Sequence, residues 1–289
     1  MKKILVPTDF SAIAERGLSL AVEIAERSEA EISLVNFTRH PFGKTFTAMG
    51  EVNSKIDSES EMYTLQLLRV NKEKLDALVQ KYIAPGVDIE TAIVDEEFKD
   101  GIDDYLRREN IDLVVMGTSG EENATEVFTG NHTEQVIRIS KCPVLSVRDG
   151  FQLQDFDKIV LAVNVIKNND HVSEALNTLA DIAACFDAHI YLLHVRDRAA
   201  DYADLDLKDF FTRMAENANL TNYSVNIYDA EDQAEGVIQF AREVKAGLIA
   251  VIKNSKDGIF RIFSSHFSDR LVKEVGRPVF TFNLQNVDS

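Results

Sequence analysis

Residues 116 to 131, MGTSGEENATEVFTGN, close an apolar run and then space Gly117, Gly120 and Gly130 as G-x-x-G, nine residues, G. Glycines so spaced let backbone N–H groups approach an anion with no side chain in the way. The stretch after Gly130, NHTEQVIRIS, reads as the start of a helix. A helix N-terminus presents unpaired N–H groups and a partial positive charge, so a phosphate is physically at home there. Turns from strand to helix are rich in glycine whether or not they bind anything, so the spacing alone leaves both an anion cradle and a plain turn standing. Neither G-x-x-x-x-G-K-[ST] nor G-x-G occurs anywhere, which excludes a P-loop and a dinucleotide fingerprint.

A second polar stretch, VPTDFS at residues 6–11, follows another apolar run. Asp9 there is a candidate ligand contact, with a plainer role open to it or to Ser11 as the N-cap of the next helix. His132 and His266 sit at equivalent helix starts without Cys or carboxylate at ligand spacing, and His189 and His194 are five apart on a strand and so face opposite sides. No metal is assigned to any of them. The glycine loop offers no Lys for a departing phosphate and no base aimed at a water, so the expected activity is binding, with slow phosphate hydrolysis at most. Cys142, before Pro143, reads as packing.

The elements that must hold these residues are written twice along the chain. KKILVPTDF (2–10) matches DKIVLAVNV (157–165), ISLVNF (32–37) matches IYLLHV (190–195), IDLVVMGTSG (111–120) matches AGLIAVIKNS (246–255), and KCPVLSV (141–147) matches GRPVFTF (276–282). Between them, Leu18, Ala21, Ile24 and Ala25 recur at helical spacing, and Leu176, Leu179, Ile182 and Ala183 take the same places in the second copy. Nearly unbroken apolar runs alternating with amphipathic helices predict parallel sheets covered on both faces. The expectation is two tandem doubly wound five-stranded domains, residues 1–149 and 156–289, with strands at 2–7, 31–37, 87–94, 112–117 and 143–148, then 158–163, 189–195, 223–229, 247–252 and 278–283. The link from 38 to 58, with Pro41, Gly43 and Gly50, reads as a mobile loop over the sheet's edge.

Taken together, ILVPTDFS (4–11), VVMGTSG (114–120), Gly130 at its spacing and CPVLSV (142–147) resemble the universal stress protein family in tandem form, from end to end of the first half. The resemblance implies the fold known as adenine nucleotide alpha hydrolase-like and a site for ATP, with Mg as its companion. It implies that Pro7, Thr8 and Asp9 hold adenine and ribose, that Phe37 meets adenine through its backbone, and that Met116 and Gly117 line ribose and phosphates. Gly120, Gly130, Asn131 and His132 would cradle the phosphates. Asn131 stands where the family has Ser or Thr, and Glu121-Glu122 occupy a segment where members often carry a basic residue, so their charge opposes a triphosphate unless a divalent cation relieves it. In the second copy Ile252, Ser255 and Ser265 replace the three glycines and Asn164 replaces Asp9. That copy is therefore expected to be structural and to bind partners. Lys253, Lys256, Arg261 and Arg270 beside it read as a solvated face.

The 289 residues carry 45% hydrophobic side chains, enough for sizeable cores, and a formal charge of −17, which repels nucleic acid and anionic membranes. No run approaches a membrane span or a signal peptide, and two distant cysteines fit a reducing compartment, so the expected location is the cytoplasm. Three functions follow in order: a regulatory adenine-nucleotide binder with unidentified protein partners, a tandem scaffold that binds no nucleotide, and a nucleotide-splitting enzyme. Last-strand pairing within the chain would make an intramolecular pseudo-dimer, and a homodimer stays open.

Overall fold

The computed structural model describes residues 1–39, 58–118, 130–148, 156–163, 170–196, 204–253 and 277–283. The first apolar run forms β1 (Lys3–Pro7), buried from Ile4 onward. Helix α1 (Ala12–Ser28) follows, its N-cap Ser11 accepting a hydrogen bond from the Ala14 amide and its C-cap Glu29 turning left-handed at φ 56°. Then come β2 (Glu31–Phe37), α2 (Ser58–Tyr82), β3 (Ile89–Val94), α3 (Phe98–Arg108), β4 (Leu113–Gly117), α4 (Gly130–Ile139) and β5 (Val144–Val147). The second series is β6 (Lys158–Ala162), α5 (Asp170–Cys185), β7 (His189–Arg196), α6 (Asp204–Asn217), β8 (Tyr223–Asp229), α7 (Gln233–Glu243), β9 (Leu248–Lys253) and β10 (Val279–Asn283). Every expected strand is present, within two residues of its expected ends. The link read as a mobile loop falls mainly on residues 40–57, which lie outside the described residues, as do residues 149–155 of the expected boundary.

All ten strands join one sheet in the order β3-β2-β1-β4-β5-β10-β9-β6-β7-β8. Each set of five has the same internal order and is parallel within itself. The sets meet where β5 and β10 pair antiparallel, Leu145 opposite Phe280, with the Ser146 hydroxyl donating to the Val279 carbonyl at 3.2 Å. The two five-stranded units expected from the sequence are thus continuous through their last strands.

In the first set, alternate side chains go to opposite faces. Ile4, Val6, Leu113 and Val115 pack under α1 and α2 with Leu18 and Leu75, whereas Leu5, Val35, Val114 and Met116 pack under α3 and α4 with Phe98 and Val136. The winding therefore reverses between β1 and β4, and their carboxyl ends form a switch point, the place where open α/β sheets receive ligands. The core beneath α1 and α2 runs on without interruption to Leu176, Leu179 and Phe211 of α5 and α6.

Candidate functional site

The backbone leaving β1 is fixed residue by residue. The Thr8 amide donates to the Val35 carbonyl at 2.8 Å, and the Thr8 hydroxyl accepts from the Phe10 amide at 3.1 Å. Phe10 adopts a left-handed φ of 69°, which folds the chain back so that the Ser11 amide reaches the Asp9 carboxylate at 2.9 Å. Ser11 caps α1. Of the two residues open to the N-cap role, Ser11 takes it, and Asp9 closes the turn before it while remaining partly exposed.

At the end of β4, Met116 is 1% exposed and its side chain fills the core beneath α3 and α4, so only its backbone faces outward at the strand end. Gly117 meets a different demand. A Cβ there would lie 1.8 Å from the Ile13 carbonyl oxygen, and a Cβ on Gly17 would lie 2.8 Å from the Gly117 nitrogen. The first turns of α1 rest on bare backbone at the end of β4. Thr118 continues the strand's pairing, its amide donating to the Val147 carbonyl at 2.9 Å.

Phe37, at the end of β2, turns its ring to α3. It packs edge-on against Phe98 with centroids 5.5 Å apart and against Tyr105 at 6.1 Å, and it fills the space above Gly101. Its backbone is left at the strand end. Helix α4 begins at Gly130, so Gly130, Asn131 and His132 form its first turn, which carries no acidic residue. The His132 ring stacks on Phe98 at 4.6 Å. Burial lowers the pKa of His132, and the negative charge of Asp9 works against that shift. Asp9 and His132, 123 positions apart in sequence, thus face each other electrostatically across the switch point.

Pro7, Thr8, Asp9, Met116, Gly117 and the first turn of α4 therefore converge at the ends of β1 and β4, and Phe37 stands one strand away. Gly120, Glu121 and Glu122 lie outside the described residues. In the second set Ile252, in the register position of Gly117, is 2% exposed and belongs to the core. Asn164, Ser255, Lys256, Arg261, Ser265, His266 and Arg270 lie outside the described residues. His189 bonds Asn222 and Ser224 on one face of β7, while His194 is buried against Phe211 on the other. Among the described residues no group of three His, Cys, Asp or Glu side chains is arranged to hold a metal ion. Cys142 is held beside Ser140, whose hydroxyl donates to the Cys142 carbonyl at 2.7 Å.

Three residues at the site escaped the sequence reading: Gly17, Asn36 and Asn71. A glycine inside a helix, and an asparagine inside the apolar run ISLVNF, were the available signals. Asn71 lies on the inward stripe of α2 with Thr64, Leu75 and Leu78, where a fully apolar stripe would be expected.

The family model described as Universal stress protein family matches residues 1–148. The universal stress protein YxiE of Bacillus subtilis is 28% identical over 152 residues, which are 50% of this chain and 98% of that protein. The crystal structure of a universal stress protein from Archaeoglobus fulgidus DSM 4304 matches 97% of this chain and 98% of its own, with a TM-score of 0.66 at 17% identity, a likeness of fold. A universal stress protein from Archaeoglobus fulgidus in complex with dAMP aligns with 44% of this chain at 19% identity and a TM-score of 0.34.

Proposed function

The chain belongs to the universal stress protein family, and from that premise we propose that it is a cytoplasmic regulatory protein that takes one adenine nucleotide, ATP with Mg, at the ends of β1 and β4. The observation that carries this reading is the meeting of the rigid Thr8–Ser11 turn with the first turn of α4 at the switch point. The turn offers Asp9 and backbone groups to a base and ribose, and α4 offers N–H groups and the positive end of its dipole to phosphates. Occupancy alters contacts with protein partners to the extent that the nucleotide prefers one arrangement of the chain over another. The same reading divides the chain into residues 1–149, which hold the site, and 156–289, which serve structure and partners.

Calorimetric titration with Mg-ATP is expected to give one nucleotide per chain, and Gly130→Val should abolish the heat. Equal heat in the variant, or two nucleotides per chain, would overturn the reading. A second reading, a scaffold that binds no nucleotide, draws support from the core-filling Ile252 and from the antiparallel joint of β5 with β10. Absence of heat with both proteins would favour it.

A further inference from the structure

The Asn36 side chain lies at the centre of a buried polar chain beside the proposed base-holding turn. Its Nδ2 donates to the Thr8 carbonyl at 2.8 Å. A carbonyl only accepts, so this bond fixes which end of the amide is which and turns Oδ1 the other way. Oδ1 then accepts from the Thr38 hydroxyl at 2.6 Å and from Asn71 Nδ2 at 3.1 Å. The same Asn71 nitrogen also reaches the Thr38 hydroxyl at 3.3 Å. Asn36 is 3% exposed and Asn71 6%, so each bond replaces water that has been excluded, and losing one strands a buried partner.

The second strand set repeats the device with different chemistry. His194 takes the register position of Asn36 and Val163 that of Thr8, and His194 Nδ1 lies 3.3 Å from the Val163 carbonyl. The backbone bond recurs as well, the Val163 amide donating to the Leu193 carbonyl at 2.9 Å, as Thr8 does to Val35. A side chain from the second strand of each set therefore holds the carbonyl that follows the first strand. Among the described residues the first set extends this hold to a helix by a hydrogen bond, through Asn71 of α2, whereas His194 meets its helix through the ring of Phe211.

We propose that Asn36 and Asn71 are positioning residues: through them α2 fixes the backbone at Thr8 and Asp9 and thereby sets the affinity of the site for an adenine nucleotide. The inference rests on the nucleotide reading given above. Neither side chain is assigned a contact with the ligand. Their effect passes through the Thr8 carbonyl, whose peptide unit carries the Asp9 amide.

The experiment titrates Mg-ATP into the wild-type chain and into Asn71→Leu, Asn36→Ala and Asn36→His, with thermal unfolding and the amide resonances of Thr8 to Ser11 followed in each. Asn71→Leu and Asn36→Ala are expected to weaken ATP about tenfold, the effect of one lost buried hydrogen bond, and to move those resonances in the free protein. Asn36→His can donate from one ring nitrogen and accept at the other, so its affinity should stay within about threefold of wild type. Unchanged affinity in folded Asn71→Leu and Asn36→Ala would overturn the proposal, as would a failure of Asn36→His to restore what Asn36→Ala loses. Should wild type itself take up no ATP, the nucleotide reading fails. The latch is then judged on the Thr8 and Asp9 resonances, and resonances unmoved in folded Asn71→Leu and Asn36→Ala would overturn it.

Discussion

Burial lowers the pKa of His132 below its ordinary value by more than the negative charge of Asp9 raises it. His194 behaves alike: burial lowers its pKa, the bond to Val163 opposes this, and Arg196 adds to the lowering. In the unfolded chain both titrate near 6.5. Their contribution to stability is thus complete above about pH 6.5 and is lost progressively as the pH falls below it through the lower pKa of each folded histidine, since over that range the unfolded chain takes up protons that the fold refuses. Chemical denaturation at pH 7.5, 6.5 and 5.5 should show a declining unfolding free energy, and His132→Phe, which keeps the stack on Phe98, should remove part of the decline. The places of Asp9 and His132 were legible in the sequence because one follows a recognisable strand end and the other a helix start. Asn36 and Asn71 were not, because their hydrogen-bond partners lie on elements 28 and 35 residues away, and a lone asparagine does not announce what it will meet.

The seating of α1 on β4 belongs to the scale of elements. Gly17 and Gly117 together permit a helix and a strand end to touch backbone to backbone. Gly117→Ala must push α1 away from the Ile13 carbonyl contact, at a cost of about 1–3 kcal/mol or more, the usual range for overpacking. Urea unfolding would measure that loss, and Gly17→Ala should shift the midpoint in the same direction by less. The sequence left Gly117 between anion approach and a plain turn. The packing role was hidden because glycine signals only that something comes close, and the thing that comes close is a helix more than 100 positions earlier. Strands, by contrast, were legible almost to the residue, since runs such as ILV, LVVM and LIAVI have few other ways to bury themselves.

Over the whole molecule, one continuous core ties the two strand sets together. Phe280 and Phe156, both at most 1% exposed, lie in the same buried cluster as Leu18 and Leu34. Phe280→Ala removes a ring at the joint of β5 and β10 and should cost about 3–5 kcal/mol. Scanning calorimetry is expected to show a single transition in wild type and variant alike. Two separate transitions in wild type would mean that the sets melt independently. The ten-strand continuity was only half legible: the duplication and the parallel winding follow from pattern and topological rules, whereas the order of the strands and the partner of each last strand come from the structure.

Because β5 and β10 run in opposite senses, the carboxyl ends of β1 and β4 face one way along the sheet and those of β6 and β9 the other, and four strand spacings of about 4.8 Å set the two pairs roughly 19 Å apart across the sheet as well. The chain is two-ended. The strand ends of one rim share no edge with those of the other, and the buried cluster that joins Leu18 to Phe280 and Leu179 lies between them.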